Sequence, residues 1–270
     1  MRINTNMNAM IATNQMAKNT ALSGKSMEKL STGLRITKAG DDAAGLAVSE
    51  KMRAQIRGME QADRNVQDGV SMVQTAEGAL EEAGNIAQRM RELGVQAGND
   101  SLGTEDRTKI ESELKQLQEE MGQIGKETKF NGKNLLSGAQ TFTIQAGANT
   151  ETRKINTINL VGEATKLAVT TGIVSNTANA QAYVKKVDTA LEAINTGRAN
   201  LGATQNRLEY TSSNLTTSAE NLTAAESRIR DVDVAKEMVK LSKLNILNQA
   251  SQAMVAQAKQ QPESVTQLLR

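Results

Sequence analysis

The chain has no cysteine, no histidine and no tryptophan, and its single proline is Pro262. Without cysteine there is neither a disulfide framework nor thiolate chemistry. Without histidine or cysteine, a metal set has only carboxylates to draw on, and the Asp41-Asp42 pair has no cluster around it to complete one. The glycines of 40–45 lack the Lys-Ser/Thr that follows them in a phosphate-binding loop. The usual components of an enzyme are absent, and no catalytic residue, cofactor or metal is expected. Aromatic residues make up 1% of the chain (Phe130, Phe142, Tyr183 and Tyr210), so the large apolar payload of an ordinary globular core is missing. No apolar run approaches the ~18 residues of a membrane span. The opening Met1-Arg2-Ile3-Asn4-Thr5-Asn6 has no apolar segment of the signal-peptide kind. Net charge is +2, with 32 basic and 30 acidic residues interspersed, and no basic block is interleaved with aromatics as a nucleic-acid surface requires. The expectation is a cytosolic protein, or one exported by a route that needs no cleavable signal.

What is abundant is helical periodicity. Residues 203–261 contain no glycine and no proline. An unbroken helix over them would be roughly 90 Å long at about 1.5 Å per residue. From just before this stretch runs a strict seven-residue series, Leu201, Leu208, Leu215, Leu222 and Ile229. Three residues after each member stand Thr204, Thr211, Ser218, Ala225 and Val232. Large side chains at one seam position and small ones at the other are the form of a coiled coil. Such a stripe is unstable alone and needs a partner.

A candidate partner runs from about 59 to 98, with Val66, Val73, Leu80, Ala87 and Gly94 in one series and Ala76, Ala83, Met90 and Ala97 in the other. Its small residues complement the large ones of 201–229. Ile110, Leu114, Leu117, Met121 and Ile124 form a further seam through 104–127. Towards the N-terminus, Ile3, Met7, Met10, Asn14, Ala17 and Ala21 mark a seam poor in leucine, continued by Met27, Leu30 and Leu34. Gly40-Asp41-Asp42-Ala43-Ala44-Gly45 reads as a break followed by a helix that an aspartate caps.

The pattern changes near 130. Phe130-Asn131-Gly132-Lys133 is a turn signal. Thr141–Gln145 alternates as a strand does, and Ile155–Leu160 reads as a weaker second strand. A Thr-rich, Gly-punctuated stretch leads to about 178, where helical pattern resumes. Near Arg230–Val234 the Leu201 series calls Lys236 and is replaced by Val234, Met238, Leu241, Leu244, Leu247, Ala250, Met254 and Ala258. This reads as a register slip inside a continuous helix, and so as a change of partner. The remaining stripe, residues 3–34, is that partner. The fold expected is mainly α: an elongated, nested, antiparallel helical hairpin or coiled coil, with a small β-hairpin excursion mid-chain. Residues 1–42 and 231–270 form a terminal coiled-coil layer. Residues 43–230 form an outer helical bundle that includes a β region at about 131–176, with no further outer domain. The terminal layer's apolar stripes exceed what the pair can bury, which implies self-association.

Several tracts together resemble bacterial flagellins. They are Ser31-Thr32-Gly33-Leu34-Arg35-Ile36 with Gly40–Gly45, Gln67-Asp68-Gly69, Gln74–Leu80, Gln88–Leu93, Phe130-Asn131-Gly132, Asn221–Asp231, Gln261-Pro262 and the closing Gln267-Leu268-Leu269-Arg270. The resemblance covers nearly the whole chain. It implies a subunit that polymerises into the flagellar filament for motility, with the terminal layer in the filament core. It also implies export in unfolded form through the flagellar apparatus and assembly at the filament tip, outside the cell. Partners implied are further copies of the chain, the export apparatus, an export chaperone, and the cap and junction proteins. Some members are sensed by animal innate immune receptors, and their patch corresponds to Arg89, Leu93 and Glu113.

Two sets of residues carry these expectations. The terminal-layer assembly interface is assigned to Ile3, Met7, Met10, Leu30, Leu34, Met238, Leu241, Leu244, Leu247, Met254, Leu268, Leu269 and Arg270. The seam within one subunit is assigned to Val66, Val73, Leu80, Met90, Leu201, Leu208, Leu215, Leu222 and Ile229. Alternative readings are a hook–filament junction protein, which shares terminal coiled coils, and a cytosolic coiled-coil scaffold.

Overall fold

The computed structural model describes residues 6–268, without the side chains of 261–268. The chain is mainly α, as the periodicity requires. Its elements in order are α1 (Met7–Thr32), α2 (Ala43–Ala97), α3 (Thr104–Glu127), β1 (Lys129–Phe130), β2 (Lys133–Asn134), β3 (Thr141–Gln145), β4 (Thr152–Asn156), α4 (Leu160–Lys166), α5 (Thr177–Arg230) and α6 (Val234–Leu268). They divide into two compact units. One takes the two chain ends, up to Ala54 and from Asn221; the other spans Gln55–Glu220.

In the first unit α1 packs against α6. Asn6 caps α1, its side chain accepting from the Ala9 amide, and Gly33 ends it at φ 71°. That left-handed value is the conformation a non-glycine residue resists. Asp42 starts α2, its carboxylate accepting from Gly45 N at 2.9 Å, as the Asp-Asp signal indicates. A β-carbon on Gly45 would lie 2.4 Å from that carboxylate, so glycine there makes room for the cap.

Residues 203–261 are not one helix with a slipped register. α5 ends at Arg230, and α6 begins at Val234. The break has a local cause. Asp231 forms an isolated antiparallel bridge with Leu34, Val232 N donates to Gly33 O at 3.0 Å, and Asp233 caps the new helix through Lys236 N at 3.2 Å. Asp231 N still donates to Ser227 O, but Val232 N is committed to Gly33 O and leaves the helical ladder, and two aspartates flanking a valine suit a cap better than a helix interior. α6 itself continues through Pro262, losing one intrahelical hydrogen bond there.

In the second unit the inner faces of α2 and α5 run antiparallel. Asp63 accepts from Ser212, and Arg91 pairs with Asp188 at 2.7 Å. A β-carbon on Gly69 would meet Leu208, one on Gly84 would meet Ile194, and one on Gly94 would lie 2.9 Å from Val184. Val66, Val73, Leu80 and Met90 are fully buried, as are Leu201 and Leu208, while Leu215 is nearly so. Leu222 and Ile229 are only half-buried. Fully burying one such aliphatic side chain stabilises by about 1.5–3 kcal/mol. α3 returns along α2 through Ile110, Leu114 and Met121, all buried.

Asn131 and Gly132 both have positive φ (46° and 76°) in the tight turn joining β1 to β2, as the Asn-Gly signal requires. β3 pairs antiparallel with β4 from Thr141↔Asn156 to Gln145↔Thr152. The second strand therefore lies three to four residues before the Ile155–Leu160 expected. Residues from Leu160 form instead the short helix α4, capped by Asn159 through Gly162 N at 2.8 Å. Two turns are too few to display a helical period in sequence. α4 packs on α3, where a β-carbon on Gly125 would lie 2.8 Å from Val161.

Candidate assembly interface

Small and polar side chains share the contact between α1 and α6 with a few large aliphatic ones. On α1 the inward positions step by three and four through Ala9, Ala12, Met16, Asn19, Ser23, Ser26 and Leu30; on α6 they are Glu237, Leu241, Leu244, Asn248, Ser251, Val255 and Ala258. Hydrogen bonds cross the seam. Asn6 Nδ2 donates to the Ala258 carbonyl at 2.6 Å, Ser26 Oγ donates to Glu237 Oε1 at 2.6 Å, and Ser23 Oγ donates to Asn245 Oδ1 at 3.4 Å. The seam expected through Met7, Met10, Asn14, Ala17 and Ala21 instead faces outward, every member exposed. Counting apolar residues selects the uncovered face of α1, whereas on α6 it selects Leu244 and Ala258, which are buried, together with Met238, Leu247 and Met254, which are exposed.

The residues assigned to assembly whose side chains are described fall into three groups by exposure. Met7 is 53% exposed, Met10 48%, Met238 50%, Leu247 39% and Met254 65%. Leu30, Leu34 and Leu241 are half-buried. Leu244 is buried within the α1·α6 unit, so it stabilises the pair and offers no area to a neighbour. Ile3, Leu269, Arg270 and the side chain of Leu268 lie outside the described residues. Sequence reasoning missed the polar seam. Its signal was present as hydroxyl and amide residues at heptad spacing, but polar residues at that spacing are ordinarily read as a solvated face.

Glu237 is the one carboxylate in this seam. The Ser26 hydroxyl, then Lys240 at 3.1 Å, hold it below the ordinary glutamate range. Below the pair, the Gly33–Ile36 segment is tied to the end of α5. Arg35 N donates to Arg230 O at 2.6 Å, and its guanidinium donates to Ile229 O at 2.7 Å. Ile36 is buried, and Asp41, held by the Thr37 hydroxyl, titrates below its ordinary range. These bonds fix where α1 ends and α6 begins.

On the second unit Arg89 reaches Glu113 from α2 to α3 at 2.9 Å, with Glu92 at 3.3 Å. Glu113 foremost raises the pKa of the Arg89 guanidinium further. Arg89 is exposed and Glu113 about half so, whereas Leu93 is 2% exposed. The three are brought together, but only the two charged side chains reach the surface. Among the described residues no group of three His, Cys, Asp or Glu side chains is placed to hold a metal, and no helix is long and apolar enough to cross a membrane.

Residues 3–141 match the family model of the bacterial flagellin N-terminal helical region, and residues 184–269 match that of the C-terminal helical region. The chain is 52% identical over 272 residues to a flagellin of Halalkalibacterium halodurans and 48% identical over 306 residues to a flagellin of Bacillus subtilis, each alignment covering 100% of both chains. A crystal structure of Bacillus cereus flagellin is 32% identical to it, with a TM-score of 0.49 over 60% of this chain and 94% of that one. Two helical chain ends, paired across the whole length of the sequence and matched at both ends and along their entire extent, make this chain a member of the bacterial flagellin family.

Proposed function

We infer that the chain is a structural subunit that polymerises into the extracellular filament of a bacterial flagellum. The observation that carries this reading is the α1·α6 pair. Its own contact combines polar side chains with Leu30, Leu241, Leu244 and Val255, while Met7, Met10, Met238, Leu247 and Met254 stay in water. Leaving such side chains exposed forfeits about 25 cal/mol per Å² of apolar area, which neighbouring copies recover on assembly. A single subunit of a helical homopolymer meets the next by a head-to-tail contact that does not close, as filament growth requires. On this reading residues 1–42 and 231–270 form the inner layer of the filament and 43–230 the outer one. The buried seam of Val66, Val73, Leu80, Met90, Leu201, Leu208 and Leu215 holds each subunit together during assembly.

Export of the unfolded chain through the flagellar apparatus, without a cleaved signal, belongs to the same proposal. So do encounters with an export chaperone, cap and junction proteins, and an innate-receptor contact at Arg89 and Glu113. Leu93 supports that surface from beneath. Full-length identity to filament flagellins, with both helical ends matched, favours the filament over the junction reading. The test is seeded growth: purified chain added to short filament fragments elongates them, as seen by electron microscopy. Absence of elongation across a range of salt concentrations overturns the proposal.

A further inference from the structure

We propose that Met7, Met10, Met27, Met238 and Met254 are oxidation sites, and that their conversion to methionine sulfoxide stops the chain from polymerising while the Gln55–Glu220 unit stays folded. The chain has no cysteine, histidine or tryptophan, so methionine is the side chain that a peroxide attacks first. The methionines are sorted by unit. Met59, Met72, Met90 and Met121 belong to the Gln55–Glu220 unit, and all four are buried. The five proposed sites stand on α1 and α6 of the other unit and are exposed, from Met10 at 48% to Met254 at 65%. Met16 and Met52 are half-buried. One unit therefore keeps its sulfur atoms away from a solute, and the other presents them to it.

The oxidant is hydrogen peroxide. A sulfur lone pair attacks one peroxide oxygen and the O–O bond breaks. That oxygen stays on sulfur as the sulfoxide, and the other leaves with both protons as water. The sulfur is oxidised by two electrons and the peroxide is reduced by two. The product carries a strong hydrogen-bond acceptor on what was an adaptable apolar side chain. On the free chain water solvates it. Burial against a neighbouring copy strips that hydration, and an apolar contact does not replace it. The pair's own seam is spared, because its buried members, Asn19, Ser26, Leu244 and Ala258, include no methionine. This inference rests on the filament reading, in which further copies cover the exposed face. That cover also takes the sulfur atoms out of reach of peroxide, so the sensitivity belongs to the chain before assembly. Methionine sulfoxide reductases reverse the change by oxidising two thiols to a disulfide and releasing water.

The test treats the full-length chain with hydrogen peroxide at concentrations where it sediments as a monomer. Peptide mass spectrometry locates the added oxygen. The five exposed methionines gain it at least about tenfold faster than Met90 and Met121. Thermal unfolding of the Gln55–Glu220 unit, followed by circular dichroism, is unchanged, while seeded elongation slows at least about tenfold. Incubation with both sulfoxide reductases and a dithiol restores growth. The M7L/M10L/M27L/M238L/M254L variant keeps the apolar volume and elongates equally with and without peroxide. Filaments treated after assembly take up oxygen at the five sites more slowly than the free chain does. Growth of the oxidised chain at the untreated rate overturns the inference and leaves the filament reading standing. A loss of growth that the reductases do not reverse, or that the quintuple variant shares, overturns it too, as does equal oxidation of filament and free chain. Should the variant not elongate even untreated, reductase rescue of the unaltered chain decides alone. An untreated chain that does not elongate overturns the filament reading itself, and this inference with it.

Discussion

Leu208 and Leu222 belong to one seven-residue series yet differ in surroundings. Leu208 is buried, whereas Leu222 is half-exposed. Truncating Leu208 to alanine should cost about 2–5 kcal/mol, and Leu222→Ala clearly less; urea unfolding of the two variants measures the difference. Gly125 sits against Val161, so Gly125→Val should destabilise by about 1–3 kcal/mol through overpacking between α3 and α4, read as a lower melting temperature. Glu237 provides a pH test. Its folded-state pKa lies below the ordinary value because Ser26 and Lys240 favour the ionised form. Its contribution is therefore present above the ordinary glutamate range and is lost as pH falls through the lower folded value. Glu237→Gln should flatten that acid dependence in the α1·α6 pair, followed by hydrogen exchange of α1 and α6. An unchanged acid profile would assign the dependence to another carboxylate.

At the scale of elements, the helices obey two different logics. α2 and α5 interlock large and small side chains, and their facing positions follow the rule that apolar residues go inward. α1 and α6 follow it only in part: Leu244 and Ala258 are buried beside Asn19 and Ser26, while Met7, Met10, Met238 and Met254 stay outside. A polar seam of this kind binds weakly and specifies register well. Charged substitutions on the outer face, Leu247→Glu or Met254→Glu, should leave the melting of the Gln55–Glu220 unit unchanged and stop seeded elongation. Loss of the monomer fold in either variant would contradict the division of labour between the two faces.

For the whole molecule, the division at Ala54/Gln55 and Glu220/Asn221 gives a further expectation. A fragment spanning 55–220 carries the fully buried apolar side chains of α2, α3 and α5, so it should fold alone and retain cooperative thermal unfolding by circular dichroism. The chain ends without it carry Leu244, Ala258 and Ile36 as their buried apolar residues among those described. That core is too small to hold long helices alone.

Much of this was legible in the sequence. The heptad leucines, the scarcity of proline and aromatics, the Asn-Gly turn and the Asp42 cap each act over a few residues or one helical period, so they declared the helical class, the capped start of α2 and the mid-chain hairpins. The tracts at both ends carried the family. What only the tertiary structure decided was which face of α1 meets α6, where α5 stops, and that Leu93 and Leu244 lie inside. Each depends on contacts between residues far apart in the chain. The Leu34–Asp231 bridge ends a helix that propensity alone would continue, and the Ser26–Glu237 bond turns a polar face inward that hydrophobicity alone would leave in water.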